Sequence, residues 1–191
     1  MKTILVCNQK GGVGKSLIAD ELAFSFERSR IPVSFYDMDA QGGTLHSTRE
    51  NPEAAVAVVD TPGAFQKDLA DWLKEADVIV IPTRATSRDI EPLMRMQKAA
   101  LRNSRAPIIY VINGWNRFKA SKDFLDWFKD STEKQIILKI PQSESFVQAG
   151  ANEKSVIEYA PRTKAAVATV KMVNSIRKAA GFPEEIKYIN I

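Results

Sequence analysis

The stretch NQKGGVGKSLI, residues 8–18, decides the fold, because it stands between the apolar run TILVC (3–7) and a segment with helical spacing. It meets the pattern G-x-x-x-x-G-K-[ST] at every position but its first glycine. A strand that feeds a glycine turn and opens at once into a helix turns backbone N–H groups and the positive helix end toward one anion. Gly11, Gly12 and Gly14 allow positive φ angles and close approach, Lys15 brings charge to β and γ phosphates, and Ser16 offers a hydroxyl to Mg²⁺. A tight strand-to-helix connection would explain the glycines alone, but not Lys15 and Ser16 in their places as well.

Outward from the loop, short apolar runs alternate with amphipathic stretches. The runs are 3–7, 33–39, 55–60, 77–83, 106–113 and 134–141, and helical spacing covers 16–29, 65–76, 89–103 and 117–130. Near-continuous hydrophobicity without strict alternation marks strands buried on both faces. Strand and helix in alternation predict a doubly wound α/β fold, a mostly parallel sheet flanked by helices. With 191 residues and no linker-like stretch longer than QGGTLHSTRENPEA (41–54), one domain over 1–191 is expected. The balance of 27 Lys+Arg against 23 Asp+Glu is only mildly basic, so a polyanion partner has to be read from a local cluster. The one cysteine, Cys7, sits in an apolar run and suits a reducing cytoplasm. MKTILVC reaches the glycine loop too soon for a signal peptide, and no apolar run nears the roughly 18 residues of a membrane span.

Two acidic strand ends complete the site. In AVAVVDTPG the run is apolar up to Asp60 and then breaks, which delivers a carboxylate for Mg²⁺ to the edge of the sheet where ligands bind. A capping aspartate would look the same without the loop. In YDMDAQGG, Asp37 and Asp39 fall on one side of an extended chain, where a Mg-nucleotide relieves their repulsion. Asp37 is then a metal-side carboxylate and Asp39 the group that orients the attacking water. Both also suit turn caps.

KGGVGKS with its additional Lys10, DMDAQGG and VVDTPG, in this order, resemble the ParA family of partition ATPases, within the deviant phosphate-loop (Walker A) NTPases that also include MinD. The resemblance covers about residues 2–180. It implies an ATP hydrolase, weak alone and stimulated by partner and DNA. Mg-ATP would be bound by Lys10, Gly11, Gly12, Val13, Gly14, Lys15, Ser16 and Leu17, in a homodimer that sandwiches two nucleotides. Lys10 would reach the partner's phosphates in trans, as an arginine finger does. It further implies adenine contacts from Asn113 in VING and from Pro141 and Gln142 in KIPQSESF, although Asn-Gly after a strand also reads as a turn.

Departures from the family are Ala40 and Gly63 where Pro is usual, Ser16 and Leu17 where Thr is usual, and only 20 residues between Asp39 and Asp60. The short chain resembles members that leave operator binding to a separate centromere-binding, ParB-like partner. From Tyr159 to Gly181 there are five basic residues and no acid, with Lys164, Lys171 and Lys178 within about 40° on a helix over a packing face of Ala165, Val170, Met172, Val173 and Ile176. A solvated face explains that spacing as well. The resemblance implies nonspecific DNA binding there, nucleoid association in the ATP state, and cargo such as a plasmid, with Arg84, Arg88, Arg162 and Arg177 as lesser contributors. The alternative is a MinD-like or scaffold switch for a membrane or protein cargo. GFPEEIKYINI forms no clear basic amphipathic helix for a membrane. A nitrogenase-type iron–sulfur reductase would need more than Cys7, and the lone His46 has no cluster for a metal.

Overall fold

A computed structural model describes residues 1–39, 42–63, 68–132 and 135–184. Ala40, the first residues of the helix expected at 65, Lys134 and the tail from 185 lie outside them. The strands are β1 (Lys2–Val6), β2 (Val33–Asp37), β3 (Val56–Asp60), β4 (Val78–Thr83), β5 (Ile108–Trp115) and β6 (Ile136–Pro141). The helices are α1 (Lys15–Arg28), α2 (Leu69–Glu75), α3 (Ser87–Asn103), α4 (Lys119–Ser131), α5 (Glu144–Ala151), α6 (Val156–Tyr159) and α7 (Lys164–Ala179).

All five strand pairings are parallel, in the order β2-β3-β1-β4-β5-β6. The central strands are buried on both faces and their side chains alternate between two cores, while β6 is partly exposed. Ile4, Val6, Val78, Val80, Ile109 and Val111 pack with α1 and α7, whereas Leu5, Ile79, Ile81, Tyr110 and Ile112 pack with α2, α3 and α4. That double burial is why the runs read as continuously apolar. The chain moves from β1 out to β2, returns through β3, and then crosses to β4 on the other side of β1. Such a reversal leaves a crevice at the C-terminal end of the central strand, and the glycine loop fills it.

Two short helices, α5 and α6, were not legible as periodic stretches. The basic stretch from Tyr159 is interrupted at Ala160–Thr163 and helical again only from Lys164, where the Thr163 hydroxyl caps α7 by accepting the Ala166 N–H. Among the described residues no helix is long and apolar enough to cross a membrane.

Candidate functional site

The glycine loop is held in shape by its neighbours on the sheet. Asn8, buried at the end of β1, donates to the Pro82 carbonyl at 2.6 Å and accepts the Lys10 N–H at 3.2 Å, tying the loop entrance to β4. Gly14 has φ +97°, and a Cβ there would lie 2.1 Å from Nδ2 of Asn113. That amide donates to the Val13 carbonyl at 3.1 Å. Asn113, expected beside adenine, also props the loop from below, and a side chain at position 14 would have to displace it while holding a positive φ. Gly63 plays the corresponding part on the other flank, since a Cβ there would lie 3.1 Å from the Gly11 nitrogen.

The two lysines take different places. Lys15 is buried within the loop, its Nζ 3.4 Å from the Lys10 carbonyl. Lys10 turns away from the loop: its Nζ donates to the Arg88 carbonyl at 3.1 Å and lies 2.8 Å from Oδ1 of Asp89, a side chain only 2% exposed. The other Asp89 oxygen accepts from the Thr86 hydroxyl. Asp89 was missed in the sequence. Thr86-Ser-Arg-Asp89 before the apolar Ile90 and Leu93 is a helix-start signature, and it carried the signal.

Asp60 ends β3 beside both Val6 and Asp37 in the parallel register. It is fully buried, and neither carboxylate oxygen has a hydrogen-bonding partner among the described residues. Burial pushes its pKa up to about 6, opposed by the nearby Ser16 hydroxyl and the Lys15 ammonium and assisted by the Asp37 and Asp20 charges. An orphaned carboxylate beside a hydroxyl is an all-oxygen donor set, which fits Mg²⁺. Among the described residues no cluster of three or more His, Cys, Asp or Glu could hold a metal by itself, so the ion would draw its remaining ligands from phosphate and water.

Asp37 and Asp39 do not stand side by side on an extended strand. β2 ends at Asp37, whose Oδ1 accepts the Asp39 N–H at 2.9 Å and whose Oδ2 lies 2.7 Å from the Thr44 hydroxyl. Asp37 therefore shapes the turn that carries Asp39. Beyond it, the loop is pinned to α1: Asp20 accepts N–H bonds from Leu45 and His46, and the His46 ring bridges Asp20 at 2.7 Å and Glu27 at 3.3 Å. Burial pulls the His46 pKa down, but the Asp20 and Glu27 carboxylates outweigh it, so the net shift is upward.

The remaining expected residues are dispersed. Ser16 and Leu17 open α1, while Pro141 and Gln142 lie at the end of β6, where the Gln142 N–H meets the Trp115 carbonyl at 3.2 Å. Lys164, Lys171 and Lys178 are exposed along α7. Arg177 corrects the sequence reading: it is 1% exposed, and its guanidinium donates to Ser25, Ser29 and the Pro183 carbonyl, so it cannot meet DNA. Arg84, Arg88 and Arg162 are exposed.

A parallel sheet with a glycine loop at its reversal point, a buried lysine and an orphaned carboxylate define a phosphate-loop nucleotide-binding protein. The chain belongs to the family of CobQ/CobB/MinD/ParA nucleotide binding domains, whose model matches residues 4–156. Protein IncC of Escherichia coli is 40% identical over 50 residues, which are 26% of this chain and 14% of IncC, so the match spans a small part of that relative's length. Among solved structures, an ATP complex of a Cyanothece McdA variant superposes with a TM-score of 0.79 at 16% identity over 98% of this chain and 99% of that one. The septum site-determining protein MinD of Pyrococcus horikoshii, complexed with Mg-ADP, does so with a TM-score of 0.72 at 14% identity over 94% and 97%. At these identities the structural likeness establishes the fold.

Proposed function

We propose that the chain is a ParA-type ATP hydrolase that closes an ATP-sandwiched homodimer, binds DNA nonspecifically in that state, and partitions or positions a plasmid or other replicon with a separate ParB-like partner. Lys15 and the loop N–H groups hold the phosphates, Ser16 and Asp60 surround Mg²⁺, and Asp39 orients the attacking water. The observation that carries this reading is the division between the lysines: Lys15 lies in the loop, while the Lys10 side chain, one-third exposed, is held outside it on Asp89. A cation stored at the rim suits a role in trans, and transfer to a second copy's phosphates exchanges one anionic partner for another. Both solved relatives above carry an adenine nucleotide, one of them with Mg²⁺. Lys164, Lys171 and Lys178 supply the DNA surface.

Binding to a random-sequence duplex with ATP, with ADP and without nucleotide, in an Asp39→Ala background that holds the ATP state, tests the reading. Binding in the ATP state alone is expected, with log K falling against log salt at a slope near −5, since about six lysines per dimer each contribute roughly −0.9. Lys10→Ala should retain ATP and lose ATP-driven dimerisation. If ATP drives dimerisation but no state binds DNA, the scaffold reading replaces this one.

A further inference from the structure

The two edges of the sheet are treated differently. At β2, Arg49 exchanges backbone hydrogen bonds of 2.8 and 2.9 Å with Phe35, and the Asn51 N–H meets the Ser34 hydroxyl, so that edge is covered. β6 pairs with β5 alone, and among the described residues nothing else bonds to its backbone. Beside it runs a groove of about 630 Å³ lined by Ile137, Leu138 and Lys139 of β6 and by Arg162, Lys164 and Lys171. Consecutive strand residues point to opposite faces, so a groove that touches three in a row follows the strand's outer edge. Val167 and Ala168 make its floor apolar.

Its charge is of one sign. Among the described residues the lining has four cations and no carboxylate, and none of the four has an ion-pair partner. Lys139 lies over the Trp115 ring, 4.8 Å from its centroid. An exposed lysine on an edge strand repels a second copy of the same edge, and the same charge admits an acidic chain. A groove that follows a strand edge and has Val167 and Ala168 in its lining suits an extended polypeptide better than the broad hydrated backbone of a duplex.

We propose that this groove docks an extended acidic segment of a partner protein, which adds to β6 as a seventh strand. Its backbone pairs with the free edge, its carboxylates point to the α7 face and meet Arg162, Lys164 and Lys171, and its alternate apolar side chains point to the opposite face beside Ile137, where its negative charge is also drawn to Lys139. The proposal stands whether or not the same lysines also meet DNA.

The probe is a fluorescein-labelled ten-residue peptide alternating valine and glutamate, read by anisotropy and by hydrogen exchange of amides 136–140. Controls are the same peptide with lysine for glutamate and one with proline at alternate positions, which removes backbone donors. The acidic peptide should bind, both controls should bind at least tenfold more weakly, and exchange at 136–140 should slow several-fold. Lys139→Glu and Lys171→Glu should each lower affinity about tenfold, whereas Lys178→Glu, outside the groove, should not; thermal melts check that each variant is folded. No binding of the acidic peptide, equal binding of the proline peptide, or protection of 136–140 by a random DNA duplex and not by the peptide would each overturn the proposal.

Discussion

Asp60 and Arg177 are both buried charges, and the molecule treats them in opposite ways. Around Arg177 every approach is satisfied: Nη1 donates to the Ser25 carbonyl and hydroxyl and to the Ser29 hydroxyl, Nε donates to Pro183, and the Phe26 ring lies 4.9 Å away. Glu21 nearby is served likewise, by the Ser155 hydroxyl at 2.5 Å and the Val156 N–H at 2.8 Å. Asp60 has neither oxygen bonded among the described residues. A saturated buried charge fastens α7 and α6 to α1. An unsaturated one costs stability that Ser16 and Lys15 offset only in part, and it lies where the glycine loop would bring a ligand.

Removing a saturated charge should therefore do the most damage. Arg177→Met leaves several acceptors orphaned and should destabilise the fold by about 3–5 kcal/mol in urea melts. Asp60→Asn should act in the opposite direction. With a folded pKa near 6 against an ordinary 3.8, the native state holds this proton more tightly than the unfolded chain, so its stability falls as pH rises between those values. Above about pH 6 the whole cost is present. The variant should then be more stable than wild type by up to about 3 kcal/mol at pH 7.5 and equal to it near pH 3.5, while Mg²⁺-dependent nucleotide affinity falls. Equal melts at both pH values would show that Asp60 is not strained.

Gly14→Ala sharpens the comparison inside the loop. The new methyl group meets Asn113, and nucleotide affinity should fall at least tenfold, with partial recovery in the Gly14→Ala/Asn113→Ala double variant. Recovery would be incomplete because φ +97° remains strained for alanine. The smallest effect concerns His46. Its raised pKa adds stability that is complete below the ordinary imidazole value and lost as pH climbs through the folded value. Wild type should lose more stability than His46→Ala between pH 6 and pH 8.5, as melts at the two pH values would show.

The fold was open to reading in the linear sequence wherever burial imposed a run or a turn imposed a residue. Val56–Asp60 announces itself as apolar up to its acid, and KGGVGKS states its turn chemistry outright. What stayed hidden joins residues far apart. Lys10 reaches the Arg88 carbonyl across 78 positions of chain, Asn113 reaches Val13 across 100, and Arg177 reaches Ser25 across 152. Arg177 was misread for a physical reason. On a helical wheel an arginine beside lysines looks like more surface charge, and only the packing of α7 on α1 shows the acceptors waiting beneath it.

The sequence by itself thus determined the parallel α/β sheet, the phosphate loop and the position of Asp60, because each depends on local periodicity or local backbone freedom. Tertiary structure alone decided where Lys10 rests, what Asn113 supports, which basic residues of α7 face solvent, and that among the described residues β6 pairs on one side only. Those follow from which surfaces the crossovers bring together, and side-chain hydrogen bonds between distant segments leave no period in the chain.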